Sequence, residues 1–174
     1  CDAAITRLFF LFFHLLQSKE YAGQERAWGA FGLASGNIDA ALAQRLLLLQ
    51  QAQQHSATVF LQFAGETALQ QWQQLELAPD TLKFQQCRLL LQQLAGGTAP
   101  VPEISDLWYQ FASHRIDQMQ QIQAGLSQQL KQLTEQQLQL SSSQYQQQTA
   151  QQLSQPGQHT ESNLLSDASM PGLL

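Results

Sequence analysis

The chain has 174 residues, of which 44% are hydrophobic and 12% charged, and its formal net charge is -5. This suits one domain, or one domain plus a tail, with enough apolar material for a core and too little net charge for wholesale disorder. Glutamine (35 residues) and leucine (30) dominate while Val59 and Val101 are the only valines, a composition that favours helix and argues against a sheet protein. The eight Lys and Arg form no cluster, so the footprint of a nucleic-acid binder is missing. Cys1 and Cys87 offer neither a disulfide framework nor metal-ligand spacing.

In chain order, a first helix is expected from about Ala3 to Ala34, since Ile5, Leu8, Phe9, Phe12, Leu15 and Leu16 recur at spacings of three and four. Its most apolar part, Ile5 to Leu16, is about a dozen residues long and contains Arg7 and His14. A bilayer span needs roughly 20 apolar residues, so the stretch reads as a buried helix and no membrane contact is expected. The sequence QSKEY that follows has no small-residue cleavage site, so a signal peptide is not expected either.

Gly36 fits a left-handed helix end, with Asn37 capping the next helix and Asp39 in its first turn. That second helix carries Leu42, Leu46, Leu49, Val59, Phe60 and Phe63, and should end near Gly65. A third segment, Glu66 to Leu77, precedes Pro79; Asp80 can cap a fourth that reaches Leu94 before Gly96-Gly97. The loop Thr98 to Ile104 is the clearest break. After it, Ser105 should cap a long helix whose inward stripe is Trp108, Phe111, Met119, Ile122, Leu126, Leu130 and Leu133.

From about Ser141 apolar periodicity fades, and Pro156-Gly157 and Pro171-Gly172 forbid a continuous helix. The reading is therefore all-α: an antiparallel helical bundle of long amphipathic helices over residues 1–140, then a poorly ordered Gln/Ser-rich linker or tail over 141–174.

Tyr21 to Gly36, YAGQERAWGAFGLASG, does not read as plain packing. Gly23, Gly29 and Gly32 each cost about 1 kcal/mol relative to Ala inside a helix, a large local penalty unless something needs the space. The helical neighbours of Arg26 are Ala22, Gly23, Gly29 and Ala30, all small and uncharged, so no intrahelical salt bridge is open to it. A guanidinium is planar, permanently charged and has five N–H donors in a fixed fork, which suits a small planar oxyanion. The competing readings are a carboxylate partner on another helix or a place on the surface. Gln24 could add an amide to a ligand, but it and Glu25 otherwise read as a solvated edge. Trp28 and Phe31 read as packing against a neighbouring helix, with Trp28 also able to wall a pocket.

Leu15 to Gly36, LLQSKEYAGQERAWGAFGLASG, resembles the signature of the nitrate- and nitrite-sensing (NIT) domain family. Its first helix carries E-R followed by small residues, matched here by Gln24-Glu25-Arg26-Ala27-Trp28-Gly29. The residue after the arginine, often Gly in the family, is Ala27 here. Trp108 to Leu130 is similar to a more variable helix of such domains. The resemblance implies an all-helical sensor that binds nitrate or nitrite through arginine, uses no cofactor, and passes a helix shift to an output domain. In the most similar branch, the cytoplasmic transcription antiterminators, that output is a separate RNA-binding domain, and nothing in this chain resembles one.

A second arginine would help neutralise the ligand. Arg115, four residues from both Phe111 and Met119, falls on the inward stripe; it needs an anion partner or a ligand there, unless its stem snorkels to water. Arg45 and Arg88 fit helix flanks. His14, His55, His114 and His159 share no compact spacing, so no metal is expected, and His14 reads as a hydrogen-bonded core residue. No nucleophile motif, phosphate loop or paired acids appear, so no enzyme activity is expected. The reading from a different class is a ligand-free helical dimerisation module, in which the Ala/Gly face of the first helix is a self-association surface; a homodimer is the expected state.

Overall fold

A computed structural model of the chain describes residues 3–96 and 102–154. The protein is all-α, with helices α1 (Ala3–Ser35), α2 (Ala40–Phe63), α3 (Glu66–Leu77), α4 (Pro79–Gln93) and α5 (Pro102–Leu153). It divides into two compact units, Cys1–Gln132 and Leu133–Leu174.

Cross-helix contacts fix the directions within the first unit. Arg7 of α1 donates to the carbonyl of Phe63 and Ser18 to that of Gln53, so α2 runs back along α1. Ser105 of α5 reaches the carbonyl of Ala30, while Lys19 reaches Gln123, so α5 also opposes α1. Glu76 meets Arg115, and Phe84 meets Trp108, which sets α3 and α4 antiparallel to α5. The result is an up-down-up-down bundle of four legs, the third broken between α3 and α4, where Pro79 opens α4 as its first residue and cannot continue α3.

Two apolar clusters fill the bundle. One joins Leu11, Leu15, Ala57, Phe60, Trp72, Met119, Ile122 and Leu126. The other joins Leu33, Ile38, Leu46, Phe84, Leu91, Trp108 and Ala112. Along α1, α2 and α5 the residues that fall between the two clusters include Glu25, Gln53 and Arg115, all buried. A polar layer thus crosses the core, and it is where the chemistry of this fold concentrates.

Several helix ends differ from the sequence expectation. Gly36 does adopt the left-handed conformation, with φ 69°. The cap of α2, however, is Asp39, whose carboxylate accepts from the Leu42 amide at 2.7 Å, rather than Asn37. At α4 the capping position is Ala78, and Asp80 stands in the first turn, its charge favourable to the helix dipole. At α5 the helix begins at Pro102; Ser105, expected as its cap, uses its hydroxyl to tie α5 to the Ala30 carbonyl of α1 at 2.9 Å. Residues 98–101 of the expected loop lie outside the described residues.

The second unit is described to Ser154 and is helical to Leu153, past the point near Ser141 where the sequence reading ends the helix. Residues 141–153 contain no Gly or Pro and are rich in Gln, which propagates helix nearly as well as Leu. Leu138, Leu140, Tyr145 and Leu153 are all exposed. The rest of the expected tail, 155–174, lies outside the described residues.

Candidate anion-binding site

Glu25 and Arg26 are adjacent in sequence and, at about 100° per residue, point in different directions from α1. Glu25 turns inward and is 0% exposed. It accepts from Arg88 through both Nε (2.7 Å) and Nη2 (2.6 Å), and from Gln53 Nε2 at 2.7 Å. Three charge-assisted bonds satisfy a carboxylate that would otherwise be very costly to bury. The expected solvated edge at Glu25 is therefore wrong, because its partners come from α2 and α4, which sequence spacing does not reveal. Arg88, read as a helix flank, is the other half of this clamp, its guanidinium also lying 4.6 Å from the Phe84 ring centre.

Arg26 points toward α5. Its Nη1 donates to Ser113 Oγ at 2.9 Å, and its guanidinium lies 4.7 Å over the Tyr109 ring. Its Nε is buried without a hydrogen-bond partner. Among the described residues no carboxylate forms an ion pair with Arg26. Directly beneath it, the Trp108 indole N–H donates to the Arg26 carbonyl at 3.0 Å.

The small residues around Arg26 have a packing role that the sequence left open. A Cβ at Gly29 would run into the Trp108 ring, and one at Gly32 into the Leu42 side chain. Gly29 lets α5 close on α1, because the ring cannot give way, whereas the Leu42 methyl beside Gly32 can turn aside. A Cβ at Gly23 would meet nothing, and nothing in the structure explains that glycine.

Arg115 is inside, at 8% exposure, and does not snorkel. Its Nη2 donates to Glu76 Oε1 at 2.9 Å, Nη1 reaches only the Met119 sulfur at 3.5 Å, and Nε has no partner. Burial pushes its pKa down, while the nearby Glu76 opposes that. The anion it needs is thus already present within the chain.

Gln24 and Trp28 stand elsewhere. Gln24 bonds to Glu20 on the exposed side of α1. With Tyr21, Arg45 and Leu48 they line an open groove of about 400 Å³ between α1 and α2, where Arg45 lies 4.3 Å over the Trp28 ring. Trp28, 38% exposed, meets α2 through Arg45 and walls this groove, whereas Phe31 is 60% exposed and its ring contact is with Trp28 of its own helix. His14 likewise departs from expectation: its ring sits 4.4 Å from Phe10, and its buried Nδ1 has no hydrogen-bond partner. Burial, and then the nearby His55, pull its pKa below the usual value.

The structure therefore separates the four residues singled out by sequence: Arg26 at α5, Arg115 with Glu76 in the core, Gln24 and Trp28 in the α1/α2 groove. The model of the family described as nitrate and nitrite sensing matches residues 2–131. The chain belongs to the NIT family. This is a family of sensor domains in signalling proteins, not of enzymes, and its ligands are nitrate and nitrite. No curated protein and no solved structure matches the chain. Among the described residues, no helix is long and apolar enough to cross a membrane.

Proposed function

We propose that this NIT domain binds nitrate or nitrite at Arg26, between α1 and α5. One observation carries the reading: Arg88 and Arg115 each hold a carboxylate, whereas Arg26 holds only a neutral hydroxyl and an aromatic face. Its unused Nε–H and a neighbouring Nη–H form a fork that matches two oxygens of a planar anion. Ser113 accepts from Nη1, on the other side of the guanidinium, and so leaves that fork free. Tyr109 keeps the guanidinium plane in place from below. Arg115, whose charge is met by Glu76, and Gln24 and Trp28, in the α1/α2 groove, stand apart from this site.

The guanidinium that takes the anion is also held by Ser113 and Tyr109, which both belong to α5, so binding biases the fit of α1 on α5. Coupling of this kind amounts to about 1–3 kcal/mol. Delivery of that bias to an RNA-binding antitermination domain outside this chain, in the cytoplasm, is supported by the resemblance of Leu15–Gly36 to the antiterminator sensors. Calorimetric titration of sodium nitrate, with sodium chloride as the reference, tests the site. Binding by the wild type that disappears in Arg26→Ala supports it; equal heats from both proteins refute it.

The reading from the other class, a dimerisation module, is favoured by the exposed Trp28, Phe31 and Leu48 along α1 and α2. Sedimentation with and without nitrate checks it: a stable dimer whose melting temperature ignores nitrate favours a purely structural role.

A further inference from the structure

The bond pattern around Glu25 assigns it a task of its own. We infer that Glu25 is a positioning residue: gripped by Arg88 and Gln53, it sets the rotation of α1 about its axis and so aims Arg26 at Tyr109 and Ser113. The inference rests on the reading of Arg26 as the anion-binding residue, and deepens it.

The two side chains leave neighbouring positions of one rigid helix, so the azimuth of one dictates that of the other. Glu25 is the better fixed of the two. Its oxygens take three bonds of 2.6–2.7 Å from two different helices, α2 and α4. The Arg88 contact uses Nε and Nη2 together, and such a fork tolerates little rotation. On the other flank, Arg26 is restrained by one hydroxyl and one ring face. The close approach of Trp108 to Gly29 limits how near α5 can come, and its indole N–H on the Arg26 carbonyl holds the backbone there by a single bond. Trp108 and Ser105 hold α1 by one bond each, so the firmest hold on the azimuth comes from the three bonds on the Glu25 side. A carboxylate and a guanidinium in sequence are then one device, in which the first is locked so that the second is presented.

A bundle needs no ion pair here to fold. Replacing a buried pair by apolar residues of similar size is often neutral or stabilising, and this separates positioning from stability. The decisive protein is the full chain carrying Glu25→Leu with Arg88→Met. Its melting temperature should stay close to that of the wild type, lowered only by the Gln53 amide that loses its partners, while nitrate affinity, measured by calorimetry, should fall about tenfold or more. Arg88→Lys, which keeps the charge but replaces the fork by a single point contact, should retain folding and lose affinity by an intermediate factor. It provides the readout if the double variant does not fold.

Unchanged nitrate affinity in a folded double variant, or in Arg88→Lys, would overturn the positioning role while leaving Arg26 as the site. Absence of nitrate binding by the wild type, or binding that survives Arg26→Ala, would overturn the site reading and this inference with it.

Discussion

Arg88 and Arg26 touch the same stretch of α1 and have opposite surroundings. Arg88 meets a carboxylate that is entirely buried, in a fork completed by Gln53. Arg26, beside that carboxylate in sequence, meets Ser113 and Tyr109 and, among the described residues, no acid. The first arrangement is electrically closed, and disturbing either partner leaves a charge in the core. The second lacks an acid among the described residues, and the proposed nitrate would supply the missing charge. The lesson is that a guanidinium is available for ligand in proportion to what the fold has not already given it.

Breaking the closed side should have the largest effect. Glu25→Ala strands Arg88 beside the core and should cost about 3–5 kcal/mol, read by denaturant unfolding with an unchanged slope. The contrast with the apolar double replacement sharpens the point, because it is the unpaired charge that destabilises.

The interface that carries both sides comes next. Gly29→Val puts a branched side chain where the Trp108 ring lies and should destabilise by about 1–3 kcal/mol, visible as a lower melting temperature. It should weaken nitrate binding as well, because Trp108 ties α5 to the backbone of Arg26 itself.

The open side should respond the other way round. Arg26→Ala removes one neutral-acceptor bond and one stacking contact from a half-buried position, so the stability change should stay within about 1 kcal/mol. The loss of nitrate binding should nonetheless be complete. A variant that unfolds like Glu25→Ala would show that Arg26 is a structural residue and that the comparison fails.

The smallest effect concerns pH and lies far from either arginine. The folded protein disfavours a proton on His14, first through burial and then through His55. The unfolded chain binds that proton near the ordinary value of 6.5, so it takes up more protons than the folded chain below that pH. Stability is full above 6.5 and declines as the pH falls below it. Melting curves recorded across this range should show the decline, and His14→Gln should flatten it.

Much of the architecture was legible beforehand. Gly36, Pro79 and the bounds of α3 follow from local backbone chemistry, which a handful of neighbouring residues determines. The errors at the helix starts share one cause: Asn37, Asp80 and Ser105 all have capping side chains, but the chain entered each helix at another residue, and Ser105 was drawn to the Ala30 carbonyl instead. For the site, Arg26 could be picked out because its helical neighbours are all too small and uncharged to pair with it. The role of Glu25 could not, since nothing within one turn of it hints at a partner 63 residues away.

By itself, then, the sequence determined an all-helical bundle, the break at Pro79 and an arginine with no acid three or four residues away along its helix. Those properties depend on propensity, periodicity and spacing, which are short-range. Only the tertiary structure decided which charges are closed off and which remain open, that Glu25 is buried while Phe31 is not, and that Gly29 makes room for Trp108. Such outcomes depend on side chains that distant helices bring within a few ångströms, and a one-dimensional pattern carries no record of that approach.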